Sequence, residues 1–221
     1  MKDIKTDYFE YIHEETEIPS YRAPVKTTDK NIEQQYVNYQ YLNYKSLTPF
    51  IRRYFSPSQL VKGMIDELVY KYDIDYDNTC VLFYRGNDKV KENHLPSYDK
   101  YLTHAKIIQR LYPDIRFLVQ SDETEFLEYM EKAFPVNHVI FYDEIRHMPR
   151  NPLTTVDRLF SRDVTAELSK YYLAITYIMS KCRYVVCGTG NCSFWIALFR
   201  GGFDGITQFN YWTSAHKPEA H

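Results

Sequence analysis

Residues 79–84 (Thr79, Cys80, Val81, Leu82, Phe83, Tyr84) form a short apolar run with no regular polar alternation, and it stops abruptly at Arg85, Gly86 and the charged turn Asn87, Asp88, Lys89. A strand that is apolar on both faces has to be covered on both faces, the condition of a strand inside a parallel sheet flanked by helices. The run therefore points to an α/β fold. It also puts Arg85 at the carboxyl end of its strand, the edge at which open α/β sheets receive ligands.

The rest of the chain alternates in the same sense. Ser56 and Pro57 offer a cap and a first helical proline, and Leu60, Val61, Met64, Ile65, Leu68 and Val69 follow at helical spacing. Strand 79–84 precedes a helix at 97–111, strand 116–120 a helix at 123–134, and strand 138–141 comes next. Beyond a loop with Pro149 and Pro152, Asp163 offers a cap for a long helix. Strand 184–187, the turn at Gly188, a helix at 192–199 ended by Gly201 and Gly202, and a last strand at 205–209 complete the series. Repeated strand–helix units imply a doubly wound, Rossmann-like parallel sheet of about five strands. Residues 1–45 show no sustained period and read as an N-terminal extension or incomplete acceptor subdomain, with regular order beyond Pro49; residues 46–221 read as the Rossmann-like domain.

Composition narrows the partners. With 27 basic and 29 acidic residues the net charge is −2, so neither a nucleic-acid groove nor a basic membrane face is indicated. No run approaches a membrane span and the start is too polar for a signal peptide, which predicts a soluble, cytoplasmic chain. Cys80, Cys182, Cys187 and Cys192 lack paired metal-ligand spacing and read as free thiols. Of the 22 tyrosines, four crowd at Tyr36, Tyr39, Tyr41 and Tyr44, a pattern more often used for packing than for stacking on sugars.

Two features on different strands point to an anion. The turn Gly188, Thr189, Gly190, Asn191, Cys192, Ser193 joins a buried strand to a helix, so its amides lie at a helix N-terminus, and its hydroxyl and amide side chains add donors. Arg85 ends another strand of the same sheet, and an arginine fork can hold phosphate oxygens without a metal. Asp88 or Glu92 can serve as a general base. Asp73, Asp75 and Asp77 have the spacing of a divalent-cation site but fall before a strand and read as a solvated turn.

Residues 83–90 resemble the His-x-Arg-Arg-Thr-Asp-Lys-Val segment of α-1,6-fucosyltransferases, the rhizobial nodulation enzymes among them. Residues 117–123 are similar to their strand ending in an Asp-containing turn, and residues 173–189 to their last helix, strand and phosphate turn; the resemblance spans about 46–210. It implies the donor-binding half of a GT-B glycosyltransferase that inverts configuration, needs no metal or other cofactor, and moves fucose from a GDP-fucose donor to a glycan acceptor. Within it, Arg85 grips the diphosphate and Asp122 contacts the base. Gly188, Thr189, Gly190, Asn191, Cys192 and Ser193 line the phosphates, and Lys89 and Glu92 fall near the family's acid/base positions, Glu92 with a one-residue shift. Phe83 and Gly86 replace the family's histidine and second arginine. A UDP- or dTDP-linked deoxysugar, such as rhamnose, and a non-catalytic nucleotide-sugar or glycan-binding module are the alternatives.

Overall fold

The computed structural model describes residues 8–9, 38–91, 95–159 and 162–209. Among the described residues five strands form one sheet: β1 (Thr79–Tyr84), β2 (Arg116–Ser121), β3 (His138–Val139), β4 (Tyr184–Gly188) and β5 (Ile206–Phe209). Every pairing is parallel and the order is β3-β2-β1-β4-β5. All six residues of β1 are buried, as expected of a strand with neighbours on both sides and helices on both faces.

The helices are α1 (Tyr44–Tyr54), α2 (Gln59–Lys71), α3 (Tyr98–Leu111), α4 (Thr124–Ala133), α5 (Arg162–Lys181) and α6 (Asn191–Arg200). Among them α3 packs on α4, while α2, α5, α6 and α1 pack in succession on one another. These sets are the two outer layers of a doubly wound α/β fold. Tyr84 anchors the α3–α4 side, stacked on Phe126 at 4.7 Å and edge-on to Tyr101 at 5.6 Å, and fully buried aromatic side chains of this size contribute about 1.5–3 kcal/mol each through area alone. No helix among the described residues is long and apolar enough to cross a membrane.

The structure corrects several boundaries. Regular order starts before Pro49: α1 begins at Tyr44, capped by Asn43, whose side chain accepts from Ser46 N. Pro49 is tolerated inside it because Pro49 and Lys45, whose carbonyl loses its helical partner, are both exposed to water. The cap of α2 is Ser58, which accepts from Val61 N, and not Ser56; the Ser56 hydroxyl donates back to Arg52 O at the end of α1. α5 starts at Arg162, ahead of the expected cap Asp163. β3 is two residues long because the chain turns at Phe141, whose carbonyl accepts from Glu144 N and Ile145 N. α6 ends where the glycines predicted: Gly201, at φ 73°, donates to Ala197 O and Leu198 O, a left-handed terminus that glycine adopts without side-chain strain.

Candidate functional site

β1 and β4 are adjacent, yet the chain leaves them toward opposite edges of the sheet. A crevice opens at such a switch point, beyond the carboxyl ends of the two strands. Here it is a cleft of about 230 Å³ walled by Arg85 and Lys89, by Tyr101 and Phe209, and by every residue of the turn 188–193. A second cavity, of about 280 Å³, runs toward β2 and is lined by Asp88, Gln120, Asp122, Glu144, Arg146 and Tyr172. Arg85 and Lys89 line both, so two cations stand where the spaces adjoin.

Arg85 is held from several directions. Its Nε lies 3.2 Å from Asp122 Oδ2, Nη2 lies 4.0 Å from Asp88 Oδ1, and Nη1 donates to the Tyr172 hydroxyl at 3.3 Å. Burial works against the guanidinium charge, but Tyr172 and Asp122 outweigh it and raise the pKa. Burial raises the pKa of the Tyr172 hydroxyl, which stays neutral. Lys89 approaches the other oxygen of Asp88 at 3.9 Å. The side chain of Arg85 is 31% exposed, so a ligand in the cleft can meet a cation whose direction is already set.

The loop after β1 is built to keep that direction. Gly86 N donates to Asp122 Oδ1 at 2.8 Å, and Asn87 N donates to Glu123 Oε2 at 3.1 Å. Asn87 has φ 45°, a left-handed conformation that asparagine tolerates better than most residues. Its side chain secures it, Nδ2 donating to Asp122 O and Oδ1 accepting from Asn151 N. Glu123 is fully buried; its carboxylate turns back to β1 and also accepts from the Tyr98 hydroxyl. A Cβ at position 86 would lie 1.9 Å from Glu123 Oε2. The absence of a side chain there is thus the condition for a carboxylate to close the loop.

Burial raises the Glu123 pKa above its ordinary 4.5, with the Asn87 N–H opposing it. A raised folded-state pKa means that the group's stabilisation is fully present below its unfolded pKa and is lost as pH rises through the folded one. Urea unfolding over a pH series is expected to show the stability of the native chain falling relative to Glu123→Gln between acid and neutral pH. A difference that stays constant with pH would contradict this.

The second wall is the turn before α6. Gly190 caps α6 without a side chain, and the first helical bond of the ladder is Phe194 N to Gly190 O at 2.9 Å. The amides of Cys192 and Ser193 precede that bond, in the part of a helix that attracts anions. Ser193 is buried and its hydroxyl donates to Gly188 O at 2.7 Å. Cys192 Sγ is 3.4 Å from Thr176 Oγ1; burial raises its pKa against the opposing effect of Thr176 and nearby Arg85, so it lines the cleft as a thiol.

Of the residues singled out in the sequence, Arg85, Lys89 and 188–193 share one cleft, while Asp88 and Asp122 line the adjoining cavity. Asp122 is almost fully buried, its oxygens engaged by Gly86 N–H and Arg85. Glu92 lies outside the described residues, as do Tyr36 and His94. Asp73, Asp75 and Asp77 occupy the opposite end of the sheet, where Asp75 caps the short turn Tyr76–Asn78 that leads into β1. Tyr39, Asn87, Tyr172 and Gln208 were not indicated as site residues. Tyr39 belonged to a tyrosine cluster whose members diverge: Tyr39 is fully buried and Tyr41 is 60% exposed.

No known family profile matches the chain, and no curated protein does. Among solved structures the chain is similar to NodZ α-1,6-fucosyltransferase co-crystallised with GDP, at 14% identity and a TM-score of 0.45 over 69% of this chain and 44% of that one. It is also similar to fucosyltransferase NodZ from Bradyrhizobium, at 12% identity and a TM-score of 0.45 with the same coverage. For NodZ soaked with GDP-fucose the identity is 12% and the TM-score 0.42, over 73% and 47% of the two chains. The present chain thus spans less than half the length of these proteins.

Proposed function

We propose that the cleft between β1 and β4 binds the diphosphate of a nucleotide sugar and that the protein is a glycosyltransferase, with GDP-fucose as its donor and a glycan hydroxyl as acceptor. The observation that carries the reading is the convergence of Arg85 and the amide-bearing start of α6 on one cleft at the switch point of the sheet. In transfer with inversion, the acceptor oxygen bonds to the anomeric carbon as the bond from that carbon to the β-phosphate oxygen breaks. The electron pair passes to the diphosphate, and the acceptor proton to a carboxylate, Asp88 or Glu92. Charge grows on the leaving diphosphate, so Arg85, Lys89 and the helix-end amides stabilise the transition state more than the bound donor. In this reading they carry the role that a divalent ion has elsewhere, and no metal is required.

Thermal melting of the full chain with GDP-fucose, GDP, and UDP- and dTDP-linked sugars, each with a chelator, tests the reading. GDP-fucose and GDP are expected to raise the melting temperature without metal, and transfer or slow donor hydrolysis to follow with a suitable acceptor. An unchanged melt with every nucleotide sugar overturns it. Binding without turnover under any acceptor marks a nucleotide-sugar-binding module instead.

A further inference from the structure

One residue of the N-terminal segment reaches the turn that walls the cleft, from behind it. Tyr39 opens the short helical turn Tyr39–Tyr41 and is completely buried. Its hydroxyl accepts from Gly190 N at 3.0 Å and lies 2.9 Å from both Gly190 O and Ser193 Oγ. The ring packs edge-on to Phe194 at 5.7 Å, and the Tyr44 hydroxyl donates to Tyr39 O at 2.8 Å. From the far side, Gln208 on β5 accepts from Tyr39 N at 2.9 Å through Oε1 and donates to Thr189 Oγ1 at 2.8 Å through Nε2. Thr189 and Gly190, adjacent residues of the turn, are thereby held by the side chains of two residues that are themselves joined, Gln208 and Tyr39.

We propose that Tyr39 and Gln208 are positioning residues of this turn, a role that rests on the cleft being a diphosphate site. The phenol occupies the Gly190 N–H, so an anion is received by the amides of Cys192 and Ser193, and the turn is held in the receiving conformation before the ligand arrives. Preorganisation of this kind strengthens binding by removing an ordering cost, without direct contact between the tyrosine and the ligand. Gly190, with no side chain of its own, depends on a neighbour to hold it; the neighbour is supplied from residue 39, before the first helix.

Tyr39→Phe keeps the packed ring and removes only the hydroxyl, and Gln208→Leu cuts the tie to Thr189. The readouts are affinity for inorganic pyrophosphate and for GDP by calorimetry, and amide exchange across 188–193 without ligand. Each variant is expected to weaken pyrophosphate and GDP by the same factor, about tenfold, and to speed exchange of the turn while β1 and β2 keep native protection. An equal loss for both probes puts the effect on the phosphate turn, which a general loss of stability would not produce. Native affinity for pyrophosphate in Tyr39→Phe overturns the role while leaving the reading of the cleft intact. Failure of the unmutated chain to bind either probe overturns both.

Discussion

Arg85→Ala is expected to weaken GDP binding by about a hundredfold or more and to abolish the thermal shift produced by nucleotide sugars. Losing one partner of a largely desolvated charge pair costs about 2–5 kcal/mol, and Arg85 is the cation whose direction the loop after β1 fixes. The substitution also takes the guanidinium away from buried Asp122, so the variant's fold has to be checked by circular dichroism. Arg85→Lys separates the two effects: it keeps a positive charge near Asp122 but loses the planar fork that can hold two phosphate oxygens. It should fold normally and bind GDP with intermediate affinity. Native GDP affinity in a folded Arg85→Ala protein would place the phosphates elsewhere.

The second large effect concerns stability. Gly86→Ala drives a methyl group against Glu123 Oε2 and to within 2.9 Å of the Tyr84 ring, and neither neighbour moves without cost. Displacing the buried carboxylate breaks its bonds with Asn87 N–H and the Tyr98 hydroxyl. A loss of about 3 kcal/mol is expected, read as a melting temperature lower by roughly 6–12 °C for a domain of this size. Gly63→Ala is the comparison: nothing lies within 4 Å of a Cβ there, and alanine inside α2 should stabilise by about 0.5–1 kcal/mol. If Glu123 is the obstacle, adding Gly86→Ala to a Glu123→Ala background costs much less than it does alone. Equal costs in both backgrounds would assign the effect to Tyr84.

The two substitutions bear on adjacent residues whose legibility in the sequence differed. Arg85 stood out because a charged residue closing an apolar strand marks the strand's end, and that is a local signal. Gly86 looked like a missing cation; the structure shows a position kept empty for Glu123, a residue 37 positions later in the chain. Asp122 was visible as an acid after a strand, but its engagement by Gly86 and Arg85 follows from the pairing of β1 with β2, where Tyr84 lies opposite Ser121. The strands and the helices of the sheet region were readable because apolar period and turn chemistry are properties of neighbouring residues. α1 was hidden by Pro49, whose cost is small only because it faces water.

By itself the sequence determined the alternation of strands and helices, the apolar character of β1 and the two anion-directed features at strand ends, since each depends on residues within a few positions of one another. Tertiary structure alone decided that β1 and β4 lie side by side, that Asp122 and Tyr172 set the direction of Arg85, and that Tyr39 and Gln208 hold the turn before α6. These are contacts between residues up to 169 positions apart. They arise when the sheet closes its register and buries polar groups that must then find partners, a requirement that no stretch of the sequence displays alone.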